Sequence, residues 1–358
     1  MKKYNVGIIG ATGMVGQRFV NLLSNHPNFT IKLLAASSNS AGKTYAEAVK
    51  DRWLIDEEMP QSVKDMNVYD AEKDKKFIAE NVDFVFCATS LSKEETKILE
   101  ESYAKLECPV VSNNSAHRHT KDVPMIIPEI NPDHAEIIIS QRKRLGTKRG
   151  FVAVKSNCSL QSYVPAIAPL LDLGVKDVVV CTYQAISGAG KTFKTMPEIL
   201  DNVIPFISGE EEKSEIEPLK IFGKIVGDEI VPGNTPNFTS QCIRVPVSDG
   251  HTAAVFLTLD KKVSKDEILD RWANYKNPIA DLNLPSAPKQ FLHYFKEDNL
   301  PQPKLQRELE NGMAISLGRL REDTIFDYKF IGLSHNTKRG AAGGAVLLAE
   351  LLCEKGYI

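Results

Sequence analysis

The chain has 358 residues, 42% hydrophobic and 25% charged, which suits a globular protein with room for two domains at roughly 150 residues each. A net charge of −2 gives no pull towards nucleic acid or an anionic membrane, and no apolar run reaches the roughly 18 residues of a membrane-spanning helix. The six cysteines are scattered without zinc-like spacing, and Met1-Lys2-Lys3-Tyr4 leads into a strand rather than a signal peptide, so a cytoplasmic protein with free thiols and no metal site is expected.

The first predicted strand is Asn5–Ile9. It runs into Gly10-Ala11-Thr12-Gly13-Met14-Val15-Gly16 and then a helical pattern with Phe19, Leu22 and Leu23 on one face. Three glycines spaced by three, after a strand and before a helix, allow close approach of a pyrophosphate to backbone N–H groups. The second strand, Ile31–Ala36, is followed by Ser37-Ser38-Asn39-Ser40-Ala41-Gly42-Lys43. An NAD site places a carboxylate there for the ribose 2′-OH; hydroxyls and a lysine suit a 2′-phosphate, so NADP is the expected cofactor. Apolar runs at 82–88 and 110–111 flank a helical stretch, 93–106, and this alternation predicts an α/β domain with a parallel sheet.

Beyond residue 175 the pattern changes. Strands are predicted at Val178–Tyr183, Cys242–Val247 and Thr252–Leu259, with a charged, loop-rich segment over 209–224. This predicts an α+β second domain with a largely antiparallel sheet. The small and apolar residues of 340–352 suit a closely packed terminal helix. The expected division is 1–155 with 336–358 for the dinucleotide domain and 156–335 for the second.

Cys158, in Ser156-Asn157-Cys158-Ser159, opens a stretch with helical pattern to Leu171, in which Pro165 can introduce a kink. A thiol at a helix N-terminus meets unpaired N–H groups and the positive end of the dipole, which favour the nucleophilic thiolate. A packed, inert cysteine is the alternative. Ala185-Ile186-Ser187-Gly188-Ala189-Gly190-Lys191-Thr192 nearly matches a nucleotide-triphosphatase phosphate loop, but its first glycine is Ala185 and Pro197 would interrupt the helix that must follow.

The motifs GATGMVGQRF, SNCS around Cys158, TYQAISGAGKT, RVPVSDGH and HNTKRGAAGG occur in the order and spacing of aspartate-semialdehyde dehydrogenases. AASSNSAGK, NSAHRHTKDVPMIIPEIN and GEEEK resemble the archaeal and fungal branch of that family. The resemblance implies a Rossmann-type domain plus a catalytic and dimerisation domain. It implies NADPH-dependent reductive dephosphorylation of aspartyl 4-phosphate to aspartate 4-semialdehyde through a thioester on Cys158. It also implies His251 as general acid/base and Gln184 as the amide that orients the intermediate. Arg244 would bind the substrate α-carboxylate, Glu217 its ammonium, and Lys220 with Arg118 its phosphate, while Asn157 meets the phosphate or thioester. Gly10, Thr12, Gly13, Met14, Val15, Ser37, Ser38, Ser90, Ser187, Gly188 and Asn336 correspond to cofactor positions. The implied partners are the acyl-phosphate substrate, inorganic phosphate and a second or further copy of the chain, as dimer or tetramer.

A malonyl-CoA reductase on the same scaffold would keep Cys158, Arg244 and His251. Glu217, suited to an ammonium, favours the amino-acid substrate over it and over an N-acyl-glutamyl-phosphate reductase. A triphosphatase and a non-catalytic NADP sensor are the readings from other classes. The sensor has no need of Cys158, Gln184 and His251 together.

Overall fold

The computed structural model describes residues 2–358. Its first sheet is built from β1 (Tyr4–Ile9), β2 (Phe29–Ala36), β3 (Val68–Asp70), β4 (Phe84–Cys87), β5 (Val110–Ser112) and β6 (Val152–Val154). Their order is β3-β2-β1-β4-β5-β6 and every pairing is parallel, as strand–helix–strand crossovers require. The short runs of Val, Ile and Phe in these strands are buried on both faces. β1 leads into the glycine loop and the helix Met14–Leu23. Gly10 is required at its position: its φ is +85°, and a Cβ there would stand 2.2 Å from the Ala88 carbonyl oxygen.

The second sheet comprises β7 (Val175–Gln184), the small outlying pair β8 (Lys224–Val226) and β9 (Glu229–Val231) excepted, then β10 (Asn237–Arg244), β11 (His251–Leu259), β12 (Leu292–Phe295), β13 (Ile315–Glu322) and β14 (Tyr328–Ser334). Its order is β10-β7-β11-β14-β13-β12. The three central pairings are antiparallel and the two outer ones parallel. The strand expected at 242–247 ends at Arg244 instead, and the next three residues turn towards β11.

The C-terminal helix, Gly343–Glu354, is buried along its whole length except at its end and packs with Phe19, Phe86 and Val111 in the core of the first sheet. Truncating Leu347 or Leu351 to alanine costs about 2–5 kcal/mol by the usual cavity penalty. The segment 209–224 is not a loop: it forms the helix Glu210–Ile221, with three glutamates favourably placed in its first turn. Pro218 lies inside this helix and cannot donate to Ser214 O; the Tyr163 hydroxyl donates to that carbonyl instead, at 3.1 Å.

Candidate active site

Three candidate residues come from one end of the second sheet. β7 ends at Gln184, β10 runs parallel beside it and ends in register at Arg244, and antiparallel β11 begins at His251. β14 ends at Ser334 opposite His251, so Asn336 follows two residues later at the same end. The strand β7 lies between β10 and β11, so Asp249-Gly250 is a turn in a crossover, not a hairpin loop.

Cys158 is brought to this end by the segment after β6. One helix over 159–171 is expected from sequence; the structure has a 3₁₀ turn Ser159–Ser162, a short helix Val164–Ile167 and a second turn Ala168–Leu173. Pro165 and Pro169 each lack the N–H that would continue the ladder, and Tyr163, at φ −142°, leaves the helical region. A four-residue turn carries little aligned dipole, so the dipole argument for the thiolate does not hold here.

The Cys158 Sγ lies 3.4 Å from His251 Nε2. The other ring nitrogen, Nδ1, accepts the Ala185 backbone N–H at 3.0 Å, so the neutral ring carries its proton on Nε2, facing the sulfur. Burial, reinforced by Arg244, pushes the His251 pKa down to about 3, and the ring is neutral at neutral pH. Burial also raises the Cys158 thiol, as does Glu210, against the opposing pull of Lys155, Arg118 and Arg244.

Arg244 donates Nη1 to Ala185 O at 2.7 Å and has no carboxylate partner among the described residues, which leaves guanidinium N–H groups for an anion. Gln184 is buried: its Nε2 donates to Glu210 Oε2 at 3.1 Å and its Oε1 accepts from Thr182. Asn157 does not face an open phosphate position. Its amide donates to both oxygens of Glu210 at 3.0 Å, and its Oδ1 accepts from the Ser159 N–H and hydroxyl, which pins the Cys158 turn.

Glu217 and Lys220 are engaged elsewhere than the resemblance implies. Lys220 Nζ donates to the carbonyls of Arg118, Thr120 and Val123 at 2.7–2.8 Å, which uses all three of its protons on buried backbone. Glu217 is fully buried, with Oε1 on Arg118 at 2.9 Å and Oε2 on the Asn157 N–H at 2.7 Å. Both residues tie the helix 210–221 to neighbouring loops. The same helix repeats the Glu-x-x-Lys spacing one heptad earlier, and that copy faces the site. Glu210 contacts Asn157, Gln184 and, at 2.7 Å, Lys213, whose side chain is partly exposed. Burial pushes Glu210 up, but Lys213 and the two amides more than offset it and hold the carboxyl below its usual range. The sequence signal was present in GEEEK; heptad spacing gives two candidates on one face, and the distinction between them lies in the packing.

Arg118 keeps guanidinium N–H groups beyond its bonds to Lys155 O, Glu217 and Asn113 O. Lys155, which the sequence did not single out, is buried three residues before Cys158.

The cofactor candidates fall in two groups. Thr12, Gly13, Met14 and Val15 form the partly open turn at the start of helix 14–23; Ser37, Ser38 and Ser90 are exposed just past β2 and β4, on the carboxyl edge of the parallel sheet where dinucleotides bind. A Cβ on Gly13 would approach nothing closer than 3.7 Å, so the loop leaves room for a pyrophosphate. Lys43 and Arg52 flank the Ser37–Ser40 turn, and no carboxylate lies in it, which fits a 2′-phosphate. In the second group, Asn336 joins two loops by donating to the Ser187 hydroxyl at 2.8 Å and accepting the Gly250 N–H at 2.8 Å, beside Gly188. The phosphate-loop mimic 185–192 forms a 3₁₀ turn, Ile186–Ala189, and no helix follows it, so it is no triphosphatase loop.

A parallel dinucleotide-binding sheet and a mixed sheet, with a part-buried Cys–His pair at the strand ends of the second, fit a two-domain dehydrogenase. Two family models match in that order: the semialdehyde dehydrogenase NAD-binding domain over residues 5–138 and the semialdehyde dehydrogenase dimerisation domain over 167–339. The chain is 41% identical to the aspartate-semialdehyde dehydrogenase of Archaeoglobus fulgidus, over 99% of this chain and all of that one. It is 42% identical to that of Methanothermobacter thermautotrophicus, over 98% and 99%. The crystal structure of aspartate-semialdehyde dehydrogenase with NADP from Candida albicans superposes with a TM-score of 0.90 at 37% identity, covering 99% of this chain and all of that one. The chain belongs to the aspartate-semialdehyde dehydrogenase family, with archaeal and fungal relatives as the sequence motifs imply.

Proposed function

We propose that the protein reduces aspartyl 4-phosphate to aspartate 4-semialdehyde with NADPH, through a thioester on Cys158. The observation that carries this reading is the Cys158–His251 contact of 3.4 Å at the strand ends that also carry Gln184 and Arg244. Full-length identity to enzymes named for this reaction supports it over the malonyl-CoA alternative.

The chain's own residues divide the work. Arg244, free of carboxylates, grips the α-carboxylate with a planar fork. Glu210 accepts the α-ammonium, and Lys213 with Arg118 meets the phosphate oxygens. The Cys158 sulfur attacks the acyl carbon; the C–O bond to phosphate breaks and phosphate leaves with the electron pair. The His251 Nε2–H hydrogen-bonds to the sulfur and to the oxygen that gains charge at the acyl carbon. Gln184 and Asn157 hold Glu210 and the Cys158 turn in place. Bound along Gly10–Val15, Ser37, Ser38, Ser90, Ser187, Gly188 and Asn336, the nicotinamide cofactor supplies the hydride.

We assign residues 1–155 and 336–358 to the cofactor domain and 156–335 to the catalytic and dimerisation domain. The outer face of the second sheet supports self-association: Val179, Cys181, Tyr183, Ala254, Phe256 and Ile331 lie on it only partly covered. A cytoplasmic location is consistent with the free cysteines; among the described residues no helix is long and apolar enough to cross a membrane. The direct test supplies aspartate semialdehyde, phosphate and NADP in one assay and malonyl-CoA with NADPH in another. Turnover in the first supports the reading; turnover only in the second overturns it.

A further inference from the structure

Lys155 follows β6 directly and is buried. Its Nζ donates to Ser156 O, and no carboxylate contacts it among the described residues. Two glycines, Gly340 just before the C-terminal helix and Gly344 in its first turn, make room for Lys155 and Cys158 together. A Cβ on Gly340 would stand 2.9 Å from the Cys158 Cβ, and a Cβ on Gly344, four residues on, 3.3 Å from the Lys155 Cε. The lysine stem and the nucleophile therefore lie side by side against one wall.

Cys158 is influenced by Glu210, Lys155, Arg118 and Arg244 and touches the neutral His251. Lys155 is influenced by Arg118, Cys158, Glu217 and Arg339. Arg118 is paired with Glu217 at 2.9 Å, and Arg339 is held by both oxygens of Glu129 at 2.5 and 2.6 Å. Arg244 also favours the thiolate, and a bound carboxylate would offset part of its charge. The turn after Cys158 is too short to supply a dipole, and the imidazole is uncharged. Of the three cations that favour a thiolate here, Lys155 acts most strongly, and it contacts no carboxylate among the described residues.

We propose that Lys155 is a positioning residue whose ammonium, packed beside Cys158, holds the sulfur as the thiolate that attacks the acyl group. The proposal rests on the reading of Cys158 as nucleophile. The thiol proton passes to water, and no other bond changes. Burial pushes Lys155 down to about 7, and the neighbouring sulfur opposes that shift. A buried ammonium without a carboxylate is costly unless an anion lies near, and the thiolate is that anion.

The test is the pH dependence of iodoacetamide alkylation at Cys158, followed by peptide mass in the parent, Lys155→Met and Lys155→Arg. Alkylation needs no substrate, so its outcome is separate from that of the turnover assay. Lys155→Met should slow alkylation at pH 7 about tenfold, one pKa unit, with the limiting alkaline rate within about twofold of the parent. Lys155→Arg, permanently charged, should keep the thiol's apparent pKa at or below the parent's. kcat/KM for aspartate semialdehyde should fall with the alkylation rate at neutral pH and recover at alkaline pH, with the cofactor KM unmoved. A Lys155→Met profile that superimposes on the parent overturns the proposal. So does a Lys155→Arg enzyme alkylated tenfold more slowly than the parent, which decides the matter even if the methionine variant does not fold.

Discussion

The Ala185 backbone N–H donates to Nδ1 of His251 at 3.0 Å, and this fixes which nitrogen of the ring faces the nucleophile. With Nδ1 occupied as an acceptor, the ring offers Cys158 a hydrogen rather than a lone pair. This geometry fits His251 as a donor to developing negative charge, and taking the thiol proton would require it to turn a second N–H against Ala185. His251→Asn should lower kcat about 10²–10³-fold, in the range of a lost donor to a charged intermediate, and leave the acid limb of the rate profile in place. Disappearance of that limb in the variant would return the acid/base role to the ring.

The same ring links acidity to stability. Its folded pKa of about 3 lies below the unfolded value near 6.5, so between those pH values the unfolded chain binds a proton that the folded chain does not. Stability is lost as pH falls from about 6.5 towards 3. Burial shifts His117, His119 and His134 in the same direction. Urea melts at pH 7 and pH 5 should show a smaller loss for His251→Asn than for the parent; equal losses would mean the ring is protonated in the folded protein.

The helix 210–221 carries two Glu-x-x-Lys pairs with separable roles. Lys220→Met removes three hydrogen bonds from buried carbonyls and should cost about 2–4 kcal/mol of stability with phosphate KM unchanged. Lys213→Met should raise phosphate KM about tenfold, as expected for one lost charge-assisted contact, with stability within about 1 kcal/mol of the parent. Steady-state kinetics with varied phosphate, run beside urea melts, separates the two; the opposite pattern would restore Lys220 to the substrate.

Arg244→Ala should raise the KM for aspartate semialdehyde at least about tenfold, because the carboxylate loses a bidentate partner. An unchanged KM would remove Arg244 from substrate binding.

Ser38 is exposed just past β2, in a turn without carboxylates. Ser38→Asp should repel a 2′-phosphate and shift kcat/KM from NADPH towards NADH by about tenfold or more. Identical cofactor preference in parent and variant would place the 2′-phosphate elsewhere.

What could be read from the sequence was what is local. The glycine loop and the first strands sit within short windows and fall close to where expected, although β3 and β6 were not anticipated. Pairing between distant strands is not local: nothing in residues 244–251 reports that β7 lies between β10 and β11 and gathers Gln184, Arg244 and His251. The helix 210–221 was hidden by Pro218, whose missing bond is replaced by Tyr163 from 55 positions away. Glu210 and Glu217 are indistinguishable by spacing, since residues seven apart share a helix face. Lys155 carried no motif at all, and its place beside Cys158 depends on Gly340 and Gly344 from the far end of the chain.

In the proposed reaction the acyl group rests on Cys158. Aspartate semialdehyde and NADP mixed with the enzyme without phosphate should form about one NADPH per site and leave an aspartyl group on the Cys158 peptide by mass, with turnover resuming when phosphate is added. Cys158→Ala should bind NADPH and show neither burst nor adduct. A burst that survives in that variant, or an adduct on any other residue, would mean that the acyl group is carried elsewhere.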